Sequence, residues 1–331
     1  MRNPDIRALG ETDMSKPFAS TCYKAWLLVI AACVALLEPA WAQINPAQTA
    51  LLRWYGDING SSFAVGSNPV AVAFDGSSIW VTSHNGFKVT KLRASDGTSL
   101  TINLGANLEL LAYDGLNMWV AEGGNNSVAK IRASDGALLG TFPVGNFACG
   151  VAFDGSYIWV SNSGANTVSK LRTDTGAIVG TYAVGASPCA LAHDGTNIWV
   201  VNQAGNSVTE LRGSDGMNLG TIAVGYAPAG IAYDGSNMWI ANYTSGTVTK
   251  LRASDGYLMG TYSAGTTPSG IAFDGVNMWI TNSYSNTVTK LRASDGSLLG
   301  SFATPSGPNA IAFDGADVWI TSYYNATVNK M

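Results

Sequence analysis

The sequence predicts an all-β fold, a seven-bladed β-propeller of four-stranded antiparallel blades, on three observations. Tryptophans recur at Trp80, Trp119, Trp159, Trp199, Trp239, Trp279 and Trp319, one interval being 39 residues and the others 40. Each stands five residues after an aspartate that a glycine follows, at Asp75, Asp114, Asp154, Asp194, Asp234, Asp274 and Asp314. The last repeat lacks its final strand, and a matching segment lies near the other end of the chain.

Each unit reads the same way. In the sixth, GIAF, NMWITN, TVTKLR and SLLGSF are short runs rich in β-branched and aromatic residues. They become strands A to D, joined by turns that carry Asp-Gly, Ser-Asn and Ser-Asp-Gly, and Asp-Gly suits the positive φ of tight hairpins. No segment keeps a 3.6-residue apolar period. A unit of about 40 residues cannot bury both faces of its sheet alone, so units must stack, either radially or in a line. A linear stack needs polar caps at both ends.

The ends of the array choose between the two. The seventh unit stops in strand C at Thr327–Met331, whereas Leu52–Gly66 (LRWYGDINGSSFAVG) aligns without gaps on Leu171–Gly185 (LRTDTGAIVGTYAVG). An N-terminal strand therefore completes the last blade and closes the ring.

Ahead of the ring, residues 25–37 form an uncharged apolar run, AWLLVIAACVALL, after Lys16 and Lys24 and before Pro39-Ala40-Trp41-Ala42. The run is too short to span a bilayer, which takes about 20 residues. It reads as a secretory signal peptide over 1–42, cut after Ala42, with the propeller over 43–331. Met14 offers an alternative start that leaves a leader of ordinary length. The expected localisation is exported (periplasmic, extracellular or cell-surface), with no membrane insertion after cleavage.

Composition excludes several functions. Charged residues make up 12% of the chain, the net charge is −4, and there are 2 His among 331 residues. Such a balance has no electrostatic footprint for nucleic acid. There is no phosphate loop, no Cys-x-x-Cys and no credible Ser-His-Asp set. Repeated charges count as scaffold: the Lys and Arg of Lys-Leu-Arg are expected as rings around the solvated body, and most acids are turn aspartates. Asn-x-Ser/Thr sequons stand at Asn59, Asn125, Asn242 and Asn325.

What remains lies on the face that carries the D–A and B–C connections, here the top. Strand A is innermost, so the x position of its Pro-x entry, where Leu108 and Ala148 replace the proline in blades 2 and 3, rings the channel mouth: Val70, Glu109, Cys149, Cys189, Ala229, Ser269 and Asn309. Three residues after each Trp come Ser83, Glu122, Asn162, Asn202, Asn242, Asn282 and Ser322. Concave places with a few convergent polar groups favour ligands. The candidate binding residues at the mouth are thus Glu109, Glu122, Cys149, Cys189, Asn162, Asn202, Asn242, Asn282 and Asn309.

The two cysteines leave three readings open: a disulfide, a zinc site with a carboxylate, or two buried thiols beside solvated glutamates. Tyr243, Tyr284, Tyr323 and Tyr324 on B–C loops, with Tyr226 on a D–A loop, gather over blades 5 to 7. They offer flat amphipathic area for a sugar or peptide, or fold against the blade tops. His84 reads as a solvated loop residue, and His193 fills an aromatic slot.

The motifs Pro-x-Gly-Ile-Ala, Asp-Gly-x-x-Met-Trp and Trp-Ile-Thr-Asn resemble those of YVTN- and NHL-type seven-bladed propellers, in particular those grouped with streptogramin (virginiamycin B) lyase. The resemblance spans about residues 50–331. It implies the propeller fold and, for the lyases, metal-dependent chemistry from His at the Pro-x position and Glu three residues after the Trp. Of those positions only Glu122 matches. The leading expectation is a non-enzymatic exported propeller that binds a protein, peptide or carbohydrate partner or a small ligand on its top face, with no cofactor. One alternative is a lyase- or hydrolase-like enzyme using Glu109, Glu122 and a divalent metal at the mouth; another is a structural envelope component.

Overall fold

The computed structural model describes residues 61–105 and 107–331. The leader and most of the 52–66 match lie outside the described residues. The rest forms seven four-stranded antiparallel sheets. Blade 1 runs through Pro69–Phe74 (A), Ser78–Ser83 (B), Lys88–Arg93 (C) and Ser99–Asn103 (D). Strand A of blades 2 to 7 begins at Leu108, Ala148, Pro188, Pro228, Pro268 and Pro308. A strands of successive blades lie side by side, and that of blade 7 returns beside that of blade 1. The ring closes as the sequence predicts: Ser62–Ala64 supplies strand D of blade 7, with Phe63 opposite Val328 and Ala64 opposite Thr327. A single 3-10 turn, Gly123–Asn125, interrupts the β structure of the described residues.

The Asp–Trp pair holds each blade together. In every blade the aspartate Oδ2 accepts from the indole Nε1 at 2.7 Å. Its Oδ1 accepts the backbone N–H groups two and three residues on, as Asp234 does from Ser236 and Asn237. The predicted Asp-Gly hairpin is thus an aspartate-capped turn in which the glycine alone takes positive φ, 94–97°. The indole carries a donor that must be satisfied once buried. With that donor occupied, the ring can pack on the next blade: Trp119 lies against Val151, Ile158, Val160 and Leu171 of blade 3. Trp239 likewise lies against Ile271, Met278, Ile280 and Leu291 of blade 6. A strand D aromatic of the same blade covers the outer side, as Tyr262 covers Trp239 with ring centroids 5.4 Å apart. The glycine of the next C–D turn makes room for that aromatic: a Cβ on Gly296 would lie 2.0 Å from the Tyr262 ring.

The charged rings divide. The arginines sit where the sequence predicts, exposed and paired with C–D turn aspartates, as in Arg132–Asp135 at 2.8 Å. Exposed pairs of this kind contribute little. The lysines do not sit on the solvated body. Each of the six lies over its own blade's Trp, 4.4–5.7 Å from the ring centroid. Four of them reach into the next blade: Lys130 donates to Thr173 O (2.7 Å), Lys170 to Gly213 O (2.6 Å), Lys250 to Ala293 O (2.7 Å), and Lys91 to Ala133 O. Lys290 also lies 3.9 Å from Asp274, and Lys330 lies 2.7 Å from Asp317. The expectation failed because sequence periodicity cannot tell an outward strand C position from one that faces the neighbouring blade.

Asp234→Ala strips Trp239 Nε1 of its acceptor, and urea unfolding should show a loss of about 1–3 kcal/mol. Asp255→Ala, on the exposed C–D turn of the same blade, should leave the midpoint nearly unchanged.

Candidate functional site on the top face

The backbone itself builds the channel mouth. The A–B pairing slips register just after the Pro-x step in every blade, as between Pro188 and Leu191. Such a bulge re-aims a side chain and leaves an amide to be satisfied. Strand B hydroxyls take that amide in three blades: Gly150 N–H donates to Ser161 Oγ, Gly270 N–H to Thr281 Oγ1 and Ala310 N–H to Thr321 Oγ1, each at 2.8 Å. The same hydroxyls then donate across the seam, Ser161 to Cys189 O (2.6 Å) and Thr281 to Asn309 O (2.6 Å). Thr82 does the same to Glu109 O at 2.7 Å. Neighbouring A strands approach so closely that a Cβ on Gly150 would stand 2.0 Å from Cys189 O.

Cys149 and Cys189 are joined in a disulfide, their Cα atoms 5.0 Å apart. Of the three readings left open by the sequence this selects the bridge. It ties strand A of blade 3 to that of blade 4 at the mouth.

The glutamates are less solvated than the sequence suggests. Glu122 is 2% exposed, and its Oε2 accepts from Ser127 Oγ at 2.6 Å. Burial pushes its carboxyl up, against the Ser127 hydrogen bond. Glu109 is partly buried, its side chain 16% exposed, and burial pushes its pKa up too, opposed by His84. His84 is therefore not a free loop residue: its Nδ1 lies 3.1 Å from Glu109 Oε1 and 3.3 Å from Leu108 O. Both neighbours are acceptors, so that nitrogen carries the proton. The pairing crosses from the B–C loop of blade 1 to strand A of blade 2. A reading by blades, which treats each residue within its own unit, misses it. In the structure the backbone of the residue four after the Trp is pinned to its own D–A loop, as His84 N–H is to Asn68 O. This leaves its side chain to lean toward the next blade.

The four strand B asparagines stand inside their blades. Asn162, Asn202, Asn242 and Asn282 are fully buried. Their Nδ2 groups donate to hydroxyls on strand C, as Asn242 does to Thr247 and Thr249. Oδ1 of Asn162 and of Asn242 accepts the N–H of Gly145 and Gly225 on the D–A connection. These amides shape the D–A loop, and the sequon at Asn242 is closed to modification.

The tyrosines come together with Asn309. Tyr243, Tyr284, Tyr323 and Tyr324 join Asn309 and Asn286 in lining an open cavity of about 500 Å3 over blades 5 to 7. Tyr284 and Tyr324 are 79% and 74% exposed. Tyr323 and Tyr324 meet edge to face at 5.3 Å. Thr267 and Ser283 complete the floor, linked hydroxyl to hydroxyl at 2.9 Å. Among the described residues no charged side chain lines this cavity. Tyr226 stands exposed outside its lining.

The mouth does not fit a divalent metal. Both cysteines are consumed in the bridge, and among the described residues no group of three His, Cys, Asp or Glu side chains is placed to hold an ion.

The fold and this top face define the chain as a seven-bladed β-propeller. Many solved structures share it, among them the following two. A streptogramin B lyase aligns with TM-score 0.72 and 19% identity over 82% of this chain and 96% of its own. The hydrazine synthase of Kuenenia stuttgartiensis aligns with TM-score 0.72 and 17% identity over 83% of this chain and 99% of its own. At such identities the likeness establishes the architecture and no chemistry. No family model and no curated protein sequence matches the chain.

Denatured without reductant, residues 43–331 should titrate no thiol, and the Cys149→Ser/Cys189→Ser variant should lose about 2–4 kcal/mol of stability. Glu122 has its pKa raised on folding, so the native state binds more protons. Its contribution is fully present below the unfolded pKa and is lost as pH rises through the folded one. Melting curves from pH 4 to 7 should therefore fall more steeply for the wild type than for Glu122→Gln, which should gain on it at neutral pH.

Proposed function

We propose that the chain is an exported binding protein whose ligand is neutral and polyhydroxylated, such as a glycan segment, held in the tyrosine cavity over blades 5 to 7. The composition of that cavity carries the reading. Four tyrosines supply flat apolar faces with hydroxyl rims, and Asn286, Asn309, Thr267 and Ser283 supply uncharged donors and acceptors. Sugars present the complementary pair, a C–H face and a ring of hydroxyls. A charged ligand would find no counter-ion in this lining. The apolar run and small-residue cleavage site over 1–42 support export, and the disulfide accords with it, since such bridges persist outside the cytosol.

A second reading rests on His84 against Glu109 at the channel mouth. A carboxylate raised by burial beside an imidazole is an arrangement that can move a proton, and perturbed groups of this sort gather at active sites.

Titration of neutral oligosaccharides, followed by intrinsic fluorescence, should give saturable binding. Tyr284→Ala/Tyr324→Ala should weaken it at least about tenfold with no change in melting temperature. Glu109→Gln/Glu122→Gln should bind as the wild type does. Loss of binding in the glutamate variant with the tyrosine variant unaffected would move the site to the mouth, and turnover of the sugar would replace a binding role with an enzymatic one.

A further inference from the structure

On the bottom face, the seam between blades 4 and 5 differs from its counterparts by a reversal of charge. Strand C of blade 4 reads Val208-Thr209-Glu210-Leu211-Arg212, so a carboxylate stands where six other blades place lysine. In the blade 1–2 seam the Lys91 ammonium lies 5.4 Å from the Trp80 ring centroid and donates to the carbonyls of Ala133 and Ser134. In the blade 3–4 and 5–6 seams Lys170 and Lys250 bind Gly213/Ser214 and Ala293/Ser294 in the same way. The corresponding acceptors in the blade 4–5 seam are Ala253 O and Ser254 O, and no described side chain donates to either.

The surroundings of the reversed position are otherwise kept. Both seams open on the bottom face through a cavity with matching walls. In the blade 1–2 seam it is about 460 Å3, walled by Asp75, Lys91, Tyr113, Arg132 and Ala133. In the blade 4–5 seam it is about 540 Å3, walled by Asp194, Tyr233, Arg252, Ala253 and Ser254. Glu210 stands one side chain behind this wall, its Oε1 accepting from Nδ2 of the wall residue Asn197 at 2.7 Å. Asn117, Asn237 and Asn277 give that amide to their own turn aspartates, so here Asn197 serves Glu210 instead. Burial and the nearby Asp194 carboxylate both push the Glu210 carboxyl up. Arg252 does not neutralise the pair: its guanidinium is bonded to Asp255 at 2.9 Å and lies on the Tyr257 ring at 5.1 Å. Arg132 coexists with the Lys91 ammonium in the sister seam, so an arginine at this wall is compatible with a cation beside it.

We propose that this seam binds the primary ammonium group of a small molecule, such as a diamine or an amino sugar, entering from the bottom face to donate to Ala253 O and Ser254 O between the carboxylates of Asp194 and Glu210. The sister seams carry the argument: they show the same carbonyls, aspartate and indole accommodating an ammonium from within the chain. At 210 the sequence places the opposite charge, so an ammonium there comes from outside. The fit is to a primary ammonium rather than a metal ion, because the adjacent carbonyls of Ala253 and Ser254 on one turn, Asp194 on another and Glu210 on strand C approach from different sides, as the divergent donors of –NH3+ require. The cavity is independent of the tyrosine cavity on the opposite face and does not rest on a ligand binding there.

The experiment is thermal unfolding of residues 43–331 with cadaverine, glucosamine and Nα-acetyl-lysine amide as probes, against sodium and tetramethylammonium at equal ionic strength. At concentrations well above Kd the primary amines should raise the melting temperature by roughly 2–4 °C, and the controls should not. The relative response to the three probes tells a diamine, an amino sugar and a lysine-like ligand apart. Glu210→Lys should melt higher than the wild type without any amine and lose the response to all three. Glu210→Gln, which keeps the carbonyls and Asp194, should respond at least threefold more weakly. An amine response preserved in Glu210→Lys, an equal response to tetramethylammonium, or no response at all would overturn the proposal. Failure of Glu210→Lys to fold would also overturn it, by showing that the seam does not accommodate an ammonium.

Discussion

A single hydrogen bond, from each indole Nε1 to the carboxylate five residues earlier, is the constraint on which this ring depends. A blade's sheet can form without it, but seven sheets stack only if each presents a large apolar surface whose polar atom is already satisfied. The aspartate meets both conditions at once, because one oxygen caps the A–B turn and the other takes the indole. The same side chain therefore sets the local bend of the hairpin and the long-range contact between blades. This coupling explains why aspartate and tryptophan recur together while the hydrophobic positions around them vary among Val, Ile, Leu and Met.

Periodicity carried the fold and failed at the seams. Blade number, strand order and ring closure follow from the Trp spacing and the split last unit, since each depends on positions along the chain. What passes between blades does not. Lys130 and Lys170 look like solvated charges until the neighbouring C–D turn is in place, and His84 looks solitary until Glu109 of the next blade comes up beside it. Cys149 and Cys189, one period apart, left a bridge, a zinc site and two thiols all open, because spacing says nothing of the bulge that turns both residues to the mouth. Asn162 and its three counterparts were placed at the mouth by arithmetic, although strand B alternation turns their amides into the blade. The tyrosines were legible as a group because they interrupt a repeat that otherwise favours Ser, Gly and Asn in the B–C loops.

The two faces divide the chemistry. The top-face cavity is aromatic and uncharged, and its polar groups are hydroxyls and amides. The bottom face is where the charged scaffold surfaces, in turn aspartates, interblade lysines and the exception at Glu210. On the top face the mouth carries strand B hydroxyls bonded across the seams, a disulfide and two glutamates engaged with neighbours. A scaffold in which most seams are alike makes each departure informative, since the unaltered copies show what the altered position would otherwise have done.

The pairing of Ser62–Ala64 with Thr327–Lys330 has a kinetic meaning as well. Blades 1 to 6 draw their strands from contiguous sequence and can assemble locally as the chain lengthens. Blade 7 needs partners from opposite ends of the molecule, a contact whose loop-closure cost is met late and which slows folding. Until Ser62–Ala64 arrives, strand C of blade 7 (Thr327–Lys330) is left as an unpaired sheet edge. On the proposed export, the circle would close only after the whole chain had crossed the membrane.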